Sequence, residues 1–273
     1  ITEEYNGSSW TGGGTSPIAK LGSTGAGTQT AALMFGGGSP YVSTTQEYDG
    51  SSWTGGGNMG NASRDRAPAG TQTAALGMTG YRPGLQGTTT SEEYNGSSWT
   101  AITNAGTARY YGAGLGVSTS AIVAGGTAPP TSNKNNAELW NGSSWTAVAN
   151  LPGNISVAQA GGTTSDGCVF GGIGSPYYPS YPKRTTKSDW DGSSWSTSPA
   201  SMSTARTFFG GAASSSPSVY ATGGQTNGSP TYLASTEELG LTIYSPIAAT
   251  WASGANYPTG MNQLGGSGTQ TAG

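Results

Sequence analysis

The chain has 273 residues, of which 48 are Gly and only 8 % are charged, and its net charge is −3. With no run of basic residues, that balance excludes a surface that tracks nucleic-acid phosphates, and the apolar runs are too short to cross a membrane as a helix. The chain contains no His, which removes Ser-His-Asp and Cys-His catalysis and the commonest metal ligand. Its 8 Trp and 14 Tyr supply enough apolar area to fold a chain that would otherwise read as low complexity.

In chain order, residue 1 is Ile rather than Met and Glu3 and Glu4 follow, so no signal peptide is expected and this end reads as cut or processed. Next comes Tyr5-Asn6-Gly7-Ser8-Ser9-Trp10, whose Asn-Gly pair predicts a two-residue hairpin link with a type I′ turn. A small-residue strand near 18–27 leads into the apolar run Ala31 to Phe35, closed by Gly36-Gly37, and then the polar-to-aromatic run Thr44 to Tyr48. Apolar runs without alternation, here and at Ala121 to Ala124 and Cys168 to Phe170, predict strands buried on both faces. Cys168 within such a run reads as a core residue. The opening phrase returns at Tyr48 to Trp53, Tyr94 to Trp99, Trp140 to Trp145 and Trp190 to Trp195, with a degraded copy from Leu239 to Trp251.

The intervals between copies carry the organisation. From Trp10 to Gly37 is 27 positions, as it is from Trp53 to Gly80, Trp99 to Gly126 and Trp145 to Gly172, and Trp195 to Gly224 takes 29. The stretch from that Gly to the next phrase varies from 11 to 18 positions, so insertions gather in one loop of the repeat. Four predicted strands per repeat at a period in the forties, with no helical periodicity, predict blades of a β-propeller.

A Gly-Gly doublet closing an apolar strand, then an aromatic residue, then a Trp, resembles the kelch repeat, as do Arg109 and Arg206 at the head of the first strand. The Asn-Gly link is shorter than the usual kelch connection, and Gly240 to Thr250 replaces it in the last full repeat. Gly27-Thr28-Gln29-Thr30-Ala31-Ala32-Leu33 and Glu-Tyr-Asn-Gly-Ser-Ser-Trp-Thr are also similar to repeats of marine bacteriophage structural and tail proteins. The expected fold is all-β: one domain over residues 1–273, a six-bladed propeller of four-stranded kelch-like blades, strands a to d from the axis outward. Blade repeats close near Trp10, Trp53, Trp99, Trp145, Trp195 and Trp251. The ring is expected to be closed by both termini, residues 1–10 giving strands c and d of the sixth blade and 259–273 giving strand a and part of b.

Function is expected in the variable b-to-c loops, since binding residues concentrate on loops held by a rigid scaffold. Their candidate ligand-binding residues are Tyr41, Tyr81, Arg82, Tyr177, Tyr178, Tyr181, Lys183, Arg184 and Tyr232, the Tyr faces suiting stacking on a sugar and the polar groups hydrogen bonds to its hydroxyls. No catalytic residue, metal or cofactor is expected. The galactose-oxidase copper site needs His, and Ser188 to Trp195 departs from the sialidase Asp box because Asp191 and Gly192 adjoin. Glu3-Glu4, Glu92-Glu93 and Glu237-Glu238 read as solvated outer-blade charges. The formal glycosylation sequons at Asn6, Asn95 and Asn141 read as turns, because Asp49 and Asp191 fill the same slot. The phage resemblance implies a non-enzymatic virion or appendage protein, in the virion or extracellular, whose partners are a cell-surface glycan or receptor and other virion proteins or further copies of itself. Two alternatives stay open, a secreted kelch-like adhesion or scaffold module and a carbohydrate-active enzyme using a carboxylate pair.

Overall fold

A computed structural model describes residues 1–18, 20–128, 132–175, 182–226, 232–239 and the backbone of 251–254. Five four-stranded antiparallel blades follow one another in the chain. Blade 1 is Thr24–Thr28, Ala31–Phe35, Thr45–Tyr48 and Trp53–Gly56. Blade 2 is Ala67–Thr71, Ala74–Met78, Ser91–Tyr94 and Trp99–Ile102. Blade 3 is Ala113–Val117, Ser120–Ala124, Ala137–Trp140 and Trp145–Val148. Blade 4 is Gln159–Gly162, Gly167–Phe170, Lys187–Trp190 and Trp195–Thr197, and blade 5 is Gly210–Ser215, Ser218–Thr222, Thr236–Leu239 and Trp251–Gly254.

The expectation of six four-stranded blades is corrected to five among the described residues. Glu3–Tyr5 and Trp10–Gly12 pair only with each other, as a two-stranded sheet, so no described blade is assembled from both ends. The inner strands expected for it fall at 259–273, outside the described residues, and the 27-position spacing puts the next doublet beyond residue 273.

The core lies between blades. Leu33 and Phe35 of blade 1 pack with Ala75 and Tyr94 of blade 2, and Leu76 and Met78 of blade 2 with Ala121, Val123 and Trp140 of blade 3. Each of the buried Leu, Phe, Met and Val side chains contributes about 1.5–3 kcal/mol. The doublets clasp neighbours together, because Gly37, Gly80, Gly126 and Gly172 each donate a backbone hydrogen bond of 2.8–2.9 Å to the following blade, at Ser63, Arg109, Ile155 and Arg206. Both doublet positions have positive φ, including Thr79 at 55°, where the other blades have Gly.

Two local expectations are corrected. The c-to-d connection is not a two-residue type I′ turn. Tyr48 pairs with Trp53, and the Asp49 carboxylate accepts from the backbone N–H groups of Ser51 and Ser52 at 2.9 and 2.7 Å, an Asx turn in which only Gly50 has positive φ. The two Ser residues of the phrase supply the donors that decide the turn.

Nor are the strand-c acids all solvated. Glu92, Glu138 and Glu237 are buried against Arg66, Arg109 and Arg206. Arg109 Nη1 donates to the carbonyls of Gly125 and Asn136, and Arg206 Nη1 to those of Gly223 and Ser235, tying the strand-a head to strands b and c. Alternation along strand c turns Glu92 and Glu237 to the face on which the Arg66 and Arg206 guanidinium groups lie. Cys168 is fully buried, and desolvation pushes its thiol up to about 12, so it is a core residue.

Candidate functional site

Each blade begins with a residue in the left-handed region. Gly22 (φ 67°), Asp65 (54°), Tyr111 (57°), Val157 (55°) and Phe208 (52°) occupy equivalent places just before strand a. The first four are joined in series: Asp65 N–H donates to Gly22 C=O, Tyr111 to Asp65 and Val157 to Tyr111, at 3.0–3.1 Å. A left-handed conformation costs a non-Gly residue on the order of 1 kcal/mol or more, and more for Val or an aromatic. Four such residues therefore form a strained collar around the axis.

The collar rims a cavity of about 110 Å³ at the end of the axis that carries the d-to-a and b-to-c loops, with Thr24, Pro68 and Gln159 below it. Among the described residues lining it, Asp65 is the one carboxylate, and its side chain is only 5 % exposed. Burial pushes this carboxyl up to about 7, against the opposing pull of the Arg64 charge and a hydrogen bond from the Tyr111 hydroxyl. Arg64 Nε lies 3.1 Å from Asp65 Oδ2. A Cβ at Gly22 would fall 2.6 Å from Asp65 Oδ1, so only Gly leaves room for the acid.

Beside Asp65 runs an arc of rings. Arg64 sits over both Tyr41 and Tyr81, its guanidinium carbon 5.2 Å from each centroid. Tyr41 and Tyr81 are 5.7 Å apart, Tyr81 meets Tyr110 edge-on at 5.2 Å, Tyr110 adjoins Tyr111 at 4.9 Å, and Tyr111 meets Phe208 edge-on at 5.7 Å. Reciprocal backbone bonds between Arg64 and Tyr81 fix the d-to-a loop of blade 2 against its b-to-c loop. The arc thus crosses from the first blade to the fifth, and its Tyr111 and Phe208 end lines the cavity.

Among the residues expected from the sequence, the structure brings Tyr41 and Tyr81 together across Arg64, with Arg82 next in the same loop and half-buried. Lys183, Arg184 and Tyr232 belong to a second group on blades 4 and 5. Lys183 Nζ donates to Thr226 C=O at 2.6 Å, Arg184 lies flat against Gly174, and Tyr232 is 49 % exposed. Tyr177, Tyr178 and Tyr181 lie outside the described residues. Sequence reasoning missed Arg64, Tyr111 and Phe208, and raised Asp65 only as a carboxylate for the hydrolase alternative. A signal existed: Gly22, Asp65, Tyr111 and Val157 each fall 12 positions after the Trp of their phrase, and Phe208 falls 13 after.

The arrangement puts the Asp65 carboxyl and Arg66 at a small cavity, with Arg64 and the Tyr41 and Tyr81 rings beside Asp65. No group of three or more metal-binding side chains occurs among the described residues. The solved structure of YjhT matches this chain with a TM-score of 0.71 at 13 % identity, over 90 % of this chain and 88 % of that one. The chain has a β-propeller fold. A likeness at that identity carries the fold alone, since propellers host many unrelated sites. No protein-family model matches the chain, and no curated protein does.

Proposed function

We propose that this propeller is a non-enzymatic, kelch-like binding module of a virion or extracellular appendage, which attaches to surface glycan through its loop face. One observation carries the reading: Tyr41 and Tyr81 flank Arg64, which pairs with Asp65, a buried carboxyl lining the axial cavity. Aromatic faces beside one or two polar groups are the ordinary means of holding a sugar ring, with stacking for its apolar face and hydrogen bonds for its hydroxyls. Binding is favoured over hydrolysis because the cavity offers one carboxylate where glycoside cleavage uses two. The similarity of the repeats to phage structural proteins supports the virion assignment.

Trp53 Nε1 donates to Thr2 Oγ1 and Trp10 Nε1 to Thr236 Oγ1, the contact that Trp99 makes with Thr45 in the preceding blade. The hairpin therefore sits between blades 5 and 1, joined to each by the Trp-to-Thr contact that links blade 2 to blade 1.

Glycan-array binding of the purified protein, repeated with Tyr81→Ala, tests the function. Binding that falls at least about tenfold in the variant, with an unchanged melting temperature, supports it. Absence of binding to glycans and cells, with the protein missing from purified particles by mass spectrometry, overturns it.

A further inference from the structure

The ten Lys and Arg residues divide cleanly by place. Four are paired within blades, Arg66 with Glu92, Arg109 with Glu138, Lys187 with Asp189 and Arg206 with Glu237. The other six, Lys20, Arg64, Arg82, Lys134, Lys183 and Arg184, all lie in d-to-a or b-to-c loops, which an antiparallel blade places on one face. Asp65 is the single acid that shares this face among the described residues. Of the remaining eight acids, three are on strands c, two (Glu3 and Glu4) are on the N-terminal hairpin, and three, Asp49, Asp166 and Asp191, stand at turns of the opposite face. A chain of net charge −3 therefore carries five net positive charges on its loop face and eight negative charges elsewhere.

From this segregation we infer that the loop face recognises an acidic carbohydrate, a sugar bearing a carboxylate or sulfate, with the anionic group at Arg64 and Arg82 and the ring against Tyr41 or Tyr81. The inference rests on the glycan-binding reading above and names its substrate class.

The cations are arranged for a compact anion rather than a long phosphate backbone. Arg64 is clamped by two rings, Arg184 lies against Gly174, Lys20 Nζ donates to Thr44 C=O at 3.0 Å, and Lys183 Nζ to Thr226 C=O. Side chains already held lose little freedom on binding, which favours a small rigid ligand. Polymers of phosphate are bound instead by many mobile Lys and Arg that displace counterions along a stripe. The aromatic arc adds stacking faces beside the charge, and the negative remainder of the surface repels an anion that approaches in any other orientation.

The test measures binding of the full chain to a neutral galactan oligosaccharide, its sulfated counterpart and a uronate oligomer of equal length, with single-stranded DNA and anionic phospholipid vesicles as comparisons. The sulfated or uronate form is expected to bind at least about tenfold tighter than the neutral one, weakening as salt rises from about 50 to about 500 mM. Arg64→Gln combined with Arg82→Gln should remove that preference, while Asp49→Asn combined with Asp191→Asn on the opposite face leaves it unchanged. Arg82→Gln alone, outside the clamp, guards against a folding defect and should lower acidic-glycan affinity several-fold. Equal binding of neutral and acidic forms overturns the inference and leaves the glycan reading standing. No glycan binding at all overturns both. DNA or vesicles bound as tightly as the acidic glycan overturn it in favour of general polyanion attraction.

Discussion

Trp10 Nε1 donates a hydrogen bond of 3.3 Å to Thr236 Oγ1 across 226 positions of chain. The ring of Trp10 also stacks on Tyr5 at 4.9 Å, and Tyr5 faces Tyr220 of blade 5 at 6.3 Å. The N-terminal hairpin is thereby fastened to the last blade, in the register that Trp99 and Thr45 use between blades 2 and 1. Trp10→Phe keeps the stacked ring and removes one hydrogen bond, so it should lower stability by about 1 kcal/mol in chemical denaturation. It should also speed amide exchange at Glu3–Tyr5. An unchanged midpoint and exchange rate would show that the hairpin does not fasten the ring.

The buried ion pairs lead to a second expectation, for which the chain carries its own controls. The backbone hydrogen bonds from Gly126 and Gly172 make Ile155 and Arg206 equivalent. Opposite them, Ser188 and Glu237 hold the same place on strand c. Blade 4 has thus replaced a charged pair by Ile and Ser, and blade 1 carries Lys20 and Gln46 at the corresponding positions. Arg206→Ile leaves Glu237 buried without its cation and should cost about 3–5 kcal/mol. Adding Glu237→Ser should recover most of the loss, and a double-mutant cycle by urea denaturation measures the coupling.

Glu237 also sets a sign for acid sensitivity. Burial alone would raise its carboxyl, but hydrogen bonds from Ser203 and the Arg206 guanidinium outweigh it and hold the group below its ordinary value. Its contribution is present above the unfolded carboxylate range and is lost as pH falls through the folded value. In Arg206→Ile/Glu237→Ser the acid limb of the stability profile should be shallower than in the parent.

Much of the fold is legible in the sequence, because the constant 27-position interval and the apolar runs are local features. What escaped local reading depends on neighbours across blades. Glu92 and Glu93 are adjacent and chemically alike, and only the strand's alternation against the next blade decides which one is buried. Lys20 and Arg184 belong to one face although 164 positions separate them, so no basic cluster appears along the chain. The collar residues fall 12 or 13 positions after a Trp but share no chemistry: Gly, Asp, Tyr, Val and Phe have in common only a backbone conformation.

Thr79 gives a third expectation. It is fully buried with φ 55°, and its hydroxyl has no hydrogen-bond partner, at a place where Gly36, Gly125, Gly171 and Gly223 stand in the other blades. A β-branched residue in that region is strained, and an unsatisfied buried hydroxyl adds to the cost. Thr79→Gly relieves both, offset by the lost methyl contact and the greater freedom of Gly in the unfolded chain. The balance should be a gain of about 0.5–1 kcal/mol, read as a higher urea midpoint. A lower midpoint would mean that the packing of the side chain outweighs the strain.

The last expectation concerns Asp65 and has the opposite pH sign from Glu237. Its carboxyl is raised to about 7 by burial, with Arg64 and Tyr111 opposing. The unfolded chain loses this proton near the ordinary carboxylate value, whereas the folded chain holds it until about 7. Stability is therefore lost progressively as pH rises through that window and stays low above it. Asp65→Asn keeps a residue that tolerates positive φ and removes the ionisation. It should stabilise the protein by about 1–3 kcal/mol at pH 8, less than the full linkage because the pairing with Arg64 is also given up. The difference should shrink toward pH 5, which thermal melts of both proteins across pH 5–8 would show directly. A variant less stable than the parent at pH 8 would mean that the Arg64 pair is worth more than the burial of the charge costs.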